Sequence, residues 1–227
     1  MILSLETSTH NCSVALHNKG KFLACREEAG TQYIHSDKLH VFIEELMREA
    51  QVAYTQLEAI AVGSGPGSYT GLRIGVSAAK GLAFGLQVPL IAATGPSILV
   101  AAFRQMGQAT SSDYYLAPML DARRMEVYTA LYRPSGQRLT DVTAEVLDAN
   151  TYCDYADKPI YLLGDGRQKA LALNRANWRD GQVTYPSARY LGALAYDKLT
   201  RGQFEDLAYF EPFYLKSFKA GTPKKLV

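Results

Sequence analysis

Gly63-Ser64-Gly65-Pro66-Gly67-Ser68-Tyr69-Thr70-Gly71-Leu72-Arg73-Ile74-Gly75 is a run of thirteen residues with five glycines, one proline and three serine or threonine hydroxyls. The apolar segment before it, residues 57–62, predicts a buried strand, and residues 69 to about 84 predict a helix. A strand feeding a glycine-rich turn into a helix presents backbone N–H groups at the helix start, where the dipole favours an anion. The turn lacks the Gly-Lys-Ser/Thr ending of a Walker A loop and the spacing of a dinucleotide fingerprint. Two readings stand side by side. One is an anion site drawing on Gly65, Gly67, Ser68 and Arg73; the other is a tight turn with Ser68 as helix N-cap.

As a string, the segment resembles the Gly-Pro-Gly-Ser-Phe/Tyr-Thr-Gly-Leu-Arg-Ile-Gly signature of the TsaB (YeaZ) family. Two further stretches agree with that likeness. They are Leu3-Ser4-Leu5-Glu6-Thr7-Ser8-Thr9 with Cys12-Ser13-Val14-Ala15-Leu16, and Asp121-Ala122-Arg123-Arg124-Met125-Glu126-Val127-Tyr128. The likeness covers nearly the whole chain and thins beyond Asn150. It implies a two-lobed actin-like ATPase (ASKHA) fold and a non-catalytic subunit of the bacterial complex that makes threonylcarbamoyladenosine in tRNA. The implied partners are a TsaD-type catalytic subunit, a TsaE-type ATPase, and a second copy of the chain when it is alone. The tRNA would be reached indirectly through the complex, and ATP would be used by the complex rather than bound here.

Length and composition set the outer bounds. A chain of 227 residues makes one large domain or two small ones. With 48% hydrophobic and 20% charged residues, its composition is that of a globular protein. A net charge of +2 does not by itself argue for nucleic acid. Lys216, Lys219, Lys224 and Lys225 gather at the end and read as a solvated tail. Cys12, Cys25 and Cys153 show no paired spacing and read as free thiols. No signal peptide is visible, and the most apolar window, residues 82–93, is too short to span a membrane, so a cytoplasmic location is expected.

Along the chain, strands are predicted at residues 2–5, 12–17, 21–26, 57–62 and 88–93, with helices from Ser36 to about Ala50, from 69 to 84 and from Pro96 to about Met106. A polar stretch at residues 107–113 looks like a boundary, giving lobes at 1–106 and 107–227. The second half begins again with strands at 114–120, 126–132 and, weaker, near 138–146. A short helix is expected near Asn150, a strand at 160–163, helices after Gly166 and over 187–200, and a last strand at 210–216. Both halves thus read as βββαβα units without a sequence repeat, which predicts an α/β fold of two helix-covered mixed sheets.

Candidate chemistry is sparse. Glu6 with Thr7 and Ser8 occupies the first hairpin, where actin-like ATPases hold phosphate and metal. The family usually has aspartate at this position, and one extra methylene moves the carboxylate by about 1.5 Å. His35 and His40 are five apart, which places them about 140° from one another around a helix, so they do not converge on one ion. They read as surface or cap-adjacent histidines, and no metal site and no catalytic residue is assigned. No serine lies in a Gly-x-Ser-x-Gly elbow. Arg123 and Arg124 fit either a phosphate contact or an internal ion-pair set with Asp121 and Glu126. Gly164-Asp165-Gly166 reads as a tight turn.

The helix over 69–84 is apolar nearly all round, with one stripe at Leu72, Val76, Ala79 and Ala83 and another at Ile74, Ala78 and Leu82. With the broad apolar face of the preceding helix, it is to be covered either by the second lobe or by a partner. The resemblance, in which this helix pair bundles with the TsaD-type subunit or a second copy, implies a partner-binding surface of Leu39, Phe42, Leu46, Leu72, Val76, Ala79, Lys80 and Ala83. The alternatives to a partner subunit are a self-sufficient ATP-dependent kinase or phosphohydrolase of the same fold and, last, a peptidase.

Overall fold

The computed structural model describes residues 1–30, 34–107, 109 and 112–216. Strands β1 (Ile2–Glu6), β2 (Asn11–Asn18), β3 (Lys21–Ala29), β4 (Ala59–Gly63) and β5 (Leu90–Ala93) form one sheet in the order β3-β2-β1-β4-β5. The first three are an antiparallel meander, and β4 and β5 run parallel to β1. Strands β6 (Tyr115–Asp121), β7 (Glu126–Thr129), β8 (Thr143–Val146), β9 (Ile160–Leu163) and β10 (Trp178–Asp180) repeat the pattern in the order β8-β7-β6-β9-β10. Their pairing directions are the same as in the first sheet. The duplication is therefore one of topology, carried by hydrophobic patterning with no repeated residues. In the first sheet the central strands β1 and β4 are buried at every position, as expected of strands covered on both faces.

Helices α1 (His35–Glu49) and α2 (Tyr69–Leu86) cover one face of the first sheet. That core joins Leu3, Leu5, Val14 and Leu16 to Leu39, Phe42, Leu46, Val76, Ala79 and Ala83. The opposite face, with Ile2, Ala59, Ala61 and Ile91, is covered by Ile98 of α3 (Gly95–Met106) and by Leu191 and Ala195 at α5 (Gly192–Thr200). The other side of α3, through Leu99, Val100, Ala102 and Phe103, fills the core of the second sheet. Helix α4 (Arg167–Leu171) lies against that second sheet through Ala170. Hence the cores do not divide at residues 106 and 107: α3 serves both lobes, and α5 crosses back to the first.

His17 fixes that return. Its Nε2–H donates to the Arg189 carbonyl at 3.1 Å and its Nδ1 accepts from the Ser4 hydroxyl at 3.2 Å, a neutral tautomer that burial favours. Gly192 is required beside it, since a Cβ there would lie 2.0 Å from the imidazole.

Several sequence expectations differ in detail. The segment over 187–200 is a short 3-10 turn, Ala188–Tyr190, followed by α5. Residues 210–216 are not a strand. Pro212 has no N–H to give a ladder, and the segment is held instead by Phe213 N–H donating to the Ser64 carbonyl at 2.8 Å. β10 escaped notice because Trp178 is its only apolar residue. The boundary stretch lies partly outside the described residues, as do Lys219, Lys224 and Lys225.

The main correction concerns the predicted partner-binding face. Leu39, Phe42, Leu46, Leu72, Val76, Ala79 and Ala83 are each at most 8% exposed and pack within the chain's own lobe. The sheet takes this stripe of α2, because residues 72, 76, 79 and 83 share one side of the helix. Leu207 and Phe210 of the C-terminal segment pack against the same core. Lys80 is engaged too, donating to the carbonyls of Ala208 at 3.1 Å and Phe210 at 3.0 Å. What remains exposed on α2 is Thr70, Arg73, Ser77, Gly81, Phe84 and Gly85, with Phe84 77% exposed.

Val76→Glu is therefore expected to unfold the protein. An unpaired carboxylate stranded in a packed core costs about 3–5 kcal/mol, a large part of a domain's total of about 5–15 kcal/mol. Circular dichroism melting measures it; a folded Val76→Glu protein with the parent melting temperature would contradict this packing.

Candidate functional site

The glycine-rich segment and the β1–β2 turn, residues 7–10, meet at the N-terminal end of α2. Ser68 caps the helix: its Oγ accepts from Gly71 N–H at 3.2 Å, while its own N–H donates to the Ser8 carbonyl at 2.7 Å. Thr7 Oγ1–H donates to the Gly71 carbonyl at 2.8 Å. The glycines face the same turn. A Cβ on Gly67 would lie 2.1 Å from the Ser8 carbonyl oxygen, one on Gly71 2.2 Å from that of Thr7, and one on Gly75 2.1 Å from Thr7 Oγ1. Only residues without a side chain allow this backbone contact. Thr7, Ser8, Gly67 and Ser68 thus meet in a close backbone packing contact, while Gly65 lies against Leu72 and the Phe213 carbonyl.

His35, read from sequence as a surface or cap-adjacent histidine, belongs to this contact. It is the first residue of α1, buried, and its Nε2–H donates to the Thr9 carbonyl at 2.8 Å. Burial lowers its pKa, which suits a neutral ring with one donor. No local pattern marks this, because the partner is a backbone atom of a residue remote in the chain.

Glu6 ends β1 fully buried. Its Oε1 accepts the Ser8 N–H at 2.6 Å, and among the described residues its Oε2 has no hydrogen-bond partner. That oxygen fills the room a side chain at Gly63 would need, 1.8 Å from a Cβ built there. Burial raises its pKa, a shift partly countered by the nearby Ser8 hydroxyl and by the N–H groups of Ser8 and Thr7. A fold of this type implies a metal–nucleotide at this hairpin. The donor set does not fit one: the single carboxyl is enclosed and favours its neutral form, and the described residues hold no cluster of three His, Cys, Asp or Glu that could ligate a metal.

The basic candidates lie elsewhere. Arg73 is exposed on α2, its guanidinium 4.2 Å from the Tyr69 ring centroid and hydrogen-bonded to the Tyr69 hydroxyl at 2.8 Å. Arg123 and Arg124 sit at the exposed tip of the β6–β7 hairpin, with φ of 70° and 51°. The ion-pair set expected within Asp121–Glu126 does not form. Asp121 pairs with Lys169 at 2.9 Å, Glu126 pairs with Lys216, and no described carboxylate pairs with either arginine. Asp121 Oδ1 instead accepts the backbone N–H of Arg123 at 2.6 Å, holding the turn. Gly164-Asp165-Gly166 is a tight turn, with φ +93° at Gly164 and Asp165 Oδ1 accepting the Asp121 N–H at 2.9 Å.

Two sheets of identical strand order sharing α3, with α5 returned to the first, define a two-lobed α/β protein of the actin-like ATPase architecture. Comparison with known proteins narrows the class. The family model for TsaD, tRNA N6-adenosine threonylcarbamoyltransferase, matches residues 30–175. The tRNA threonylcarbamoyladenosine biosynthesis protein TsaB of Escherichia coli strain K12 is 30% identical, the alignment covering 95% of this chain and 94% of that one. TsaB of Bacillus subtilis strain 168 is 32% identical over 72% of this chain and 70% of its own. The structure of YeaZ from Pseudomonas aeruginosa superposes with a TM-score of 0.76 at 30% identity, covering 94% of this chain and 99% of that one. The chain belongs to the TsaB (YeaZ) family.

The state of Glu6 is measurable. Because its folded pKa lies above its ordinary value of 4.5, the neutral acid's full contribution to stability is present below pH 4.5 and is lost as pH rises toward the folded value. Glu6→Gln, which keeps the shape and stays neutral, is expected to match the parent near the ordinary carboxyl pKa and to exceed it in stability at pH 8. Urea denaturation across that range checks it; a Gln variant weaker than the parent at pH 8 would show that the site holds an anion.

Proposed function

We propose that this chain is the partner and stabilising subunit of a TsaD-type transferase in formation of threonylcarbamoyladenosine on tRNA, contributing binding and no reacting group. The observation that carries the reading is the outward face of α1 and α2. Phe84 stands 77% exposed and Val41 44% exposed, Ile74 and Leu82 are half-buried, and Gly81 and Gly85 have open space where a side chain would go. Exposed apolar side chains, with small residues flanking Phe84 on its own helix, suit packing against a partner. The match of this chain to the transferase's own family model supports a partner of the same architecture, and the same face would serve a homodimer when the transferase is absent. A TsaE-type ATPase then supplies the ATP use of the complex. The enclosure of Glu6 supports a subunit that does not turn over nucleotide itself.

Phe84→Asp is expected to melt like the parent, because the side chain touches little of its own lobe, and to weaken association with the TsaD-type subunit at least about tenfold, or ~1.4 kcal/mol. Size-exclusion chromatography and calorimetric titration measure it. Unchanged affinity would remove this face from the interface.

A second outcome bears on catalysis. The isolated protein is expected to show no metal-dependent ATP hydrolysis above background. Turnover that disappears in Glu6→Ala would make the hairpin a working site and favour a self-sufficient phosphotransferase.

A further inference from the structure

The tip of the β6–β7 hairpin is unusual for a turn that only has to join two strands. Arg123 and Arg124 are adjacent and both left-handed, a conformation in which glycine, asparagine or aspartate costs less than arginine. Neither buries its side chain, so neither is there for packing. The acidic groups that flank them are already neutralised, Asp121 by Lys169 and Glu126 by Lys216. Among the described residues, two guanidinium groups are thus left in excess at one projecting point.

That point continues into a row of cations and rings. Lys216, which also donates to the Ala122 carbonyl at 3.3 Å, stands 5.6 Å from the centroid of the Tyr128 ring. Burial raises the Tyr128 phenol in pKa, the charge of Lys216 opposes that shift, Glu126 adds to it, and Arg123 opposes it more weakly. Two residues before Lys216, Tyr214 stacks on Tyr69 with ring centroids 4.5 Å apart, and Arg73 lies over the Tyr69 ring. The row runs from the second lobe to the first.

We propose that this row, led by Arg123 and Arg124, contacts the phosphodiester backbone of RNA directly. Guanidinium groups bind two phosphate oxygens at once. The choice of RNA rests on the proposed role in tRNA modification. Direct contact goes beyond that role, which requires only that this chain hold the transferase.

The test uses fluorescence anisotropy of a labelled unmodified tRNA transcript, titrated with the complex of this chain and its TsaD-type subunit and, separately, with this chain by itself. The variant Arg123→Gly/Arg124→Gly removes both charges while keeping residues that tolerate the left-handed turn, so its melting temperature is expected to hold or rise. Its tRNA affinity is expected to fall about tenfold, and the slope of log K against log salt, measured between about 50 and 200 mM, to shrink by about 1–2. Arg123→Lys/Arg124→Lys is expected to keep the slope and lose part of the affinity, because lysine retains the charge without the fork. Unchanged affinity and slope in the glycine variant overturn the proposal. Loss of binding to the transferase subunit with RNA affinity intact also overturns it and makes the hairpin a protein contact. If the parent chain does not associate with the transferase at all, the proposed subunit role fails, and the titration of the chain by itself still decides the RNA contact.

Discussion

The contact between the β1–β2 turn and the first turn of α2 is the constraint on which the rest of the structure depends. Backbone meets backbone there, because Gly67, Gly71 and Gly75 offer no side chain to hold the segments apart. Once α2 is seated so closely, its Leu72, Val76, Ala79 and Ala83 side drops onto the sheet and the opposite side is left outward. His35 closes the arrangement from α1 by donating to the Thr9 carbonyl. A single methyl group at Gly67 would have to displace a main-chain oxygen, for which no flexible side chain can give way.

The same contact packs the β1–β2 hairpin shut against the first turn of α2. Much of the turn's polar surface is used within the protein: the Ser8 carbonyl by Ser68, the Ser8 N–H by Glu6, and the Thr7 hydroxyl by Gly71, while the buried Ser8 hydroxyl has no partner among the described residues. Glu6 reaches one methylene farther than an aspartate would and ends against Gly63 with an oxygen unpartnered among the described residues. A buried carboxyl in that position is better neutral than charged, which is the reverse of what a cation ligand requires. The chain's charged groups are instead displayed on the rims, on α2 and on the β6–β7 hairpin.

The two lobes are tied by elements that sequence order would not assign. α3 is apolar on two sides and serves both cores, and the segment before Lys216 runs along the first lobe before Leu215 reaches the second core. Lys80 and Ser64 bind carbonyl and N–H groups of that segment, so the outer surface of α2 is in part made by residues more than a hundred positions away.

The sequence by itself determined the element types over the first lobe, the α/β class, the βββαβα order of both halves, the Ser68 cap and the family. Each of these depends on local pattern: apolar runs, three-and-four spacing, and a glycine string too particular to arise in a generic turn. Tertiary structure decided which stripe of α2 faces the sheet, because both stripes are apolar and periodicity cannot rank them. It also decided that His35 is buried, that Asp121 and Glu126 pair with Lys169 and Lys216 and leave Arg123 and Arg124 without a carboxylate partner among the described residues, and that α5 returns to the first lobe. In each case the deciding partner lies far along the chain, and a local pattern records a residue's chemistry without recording what it will meet.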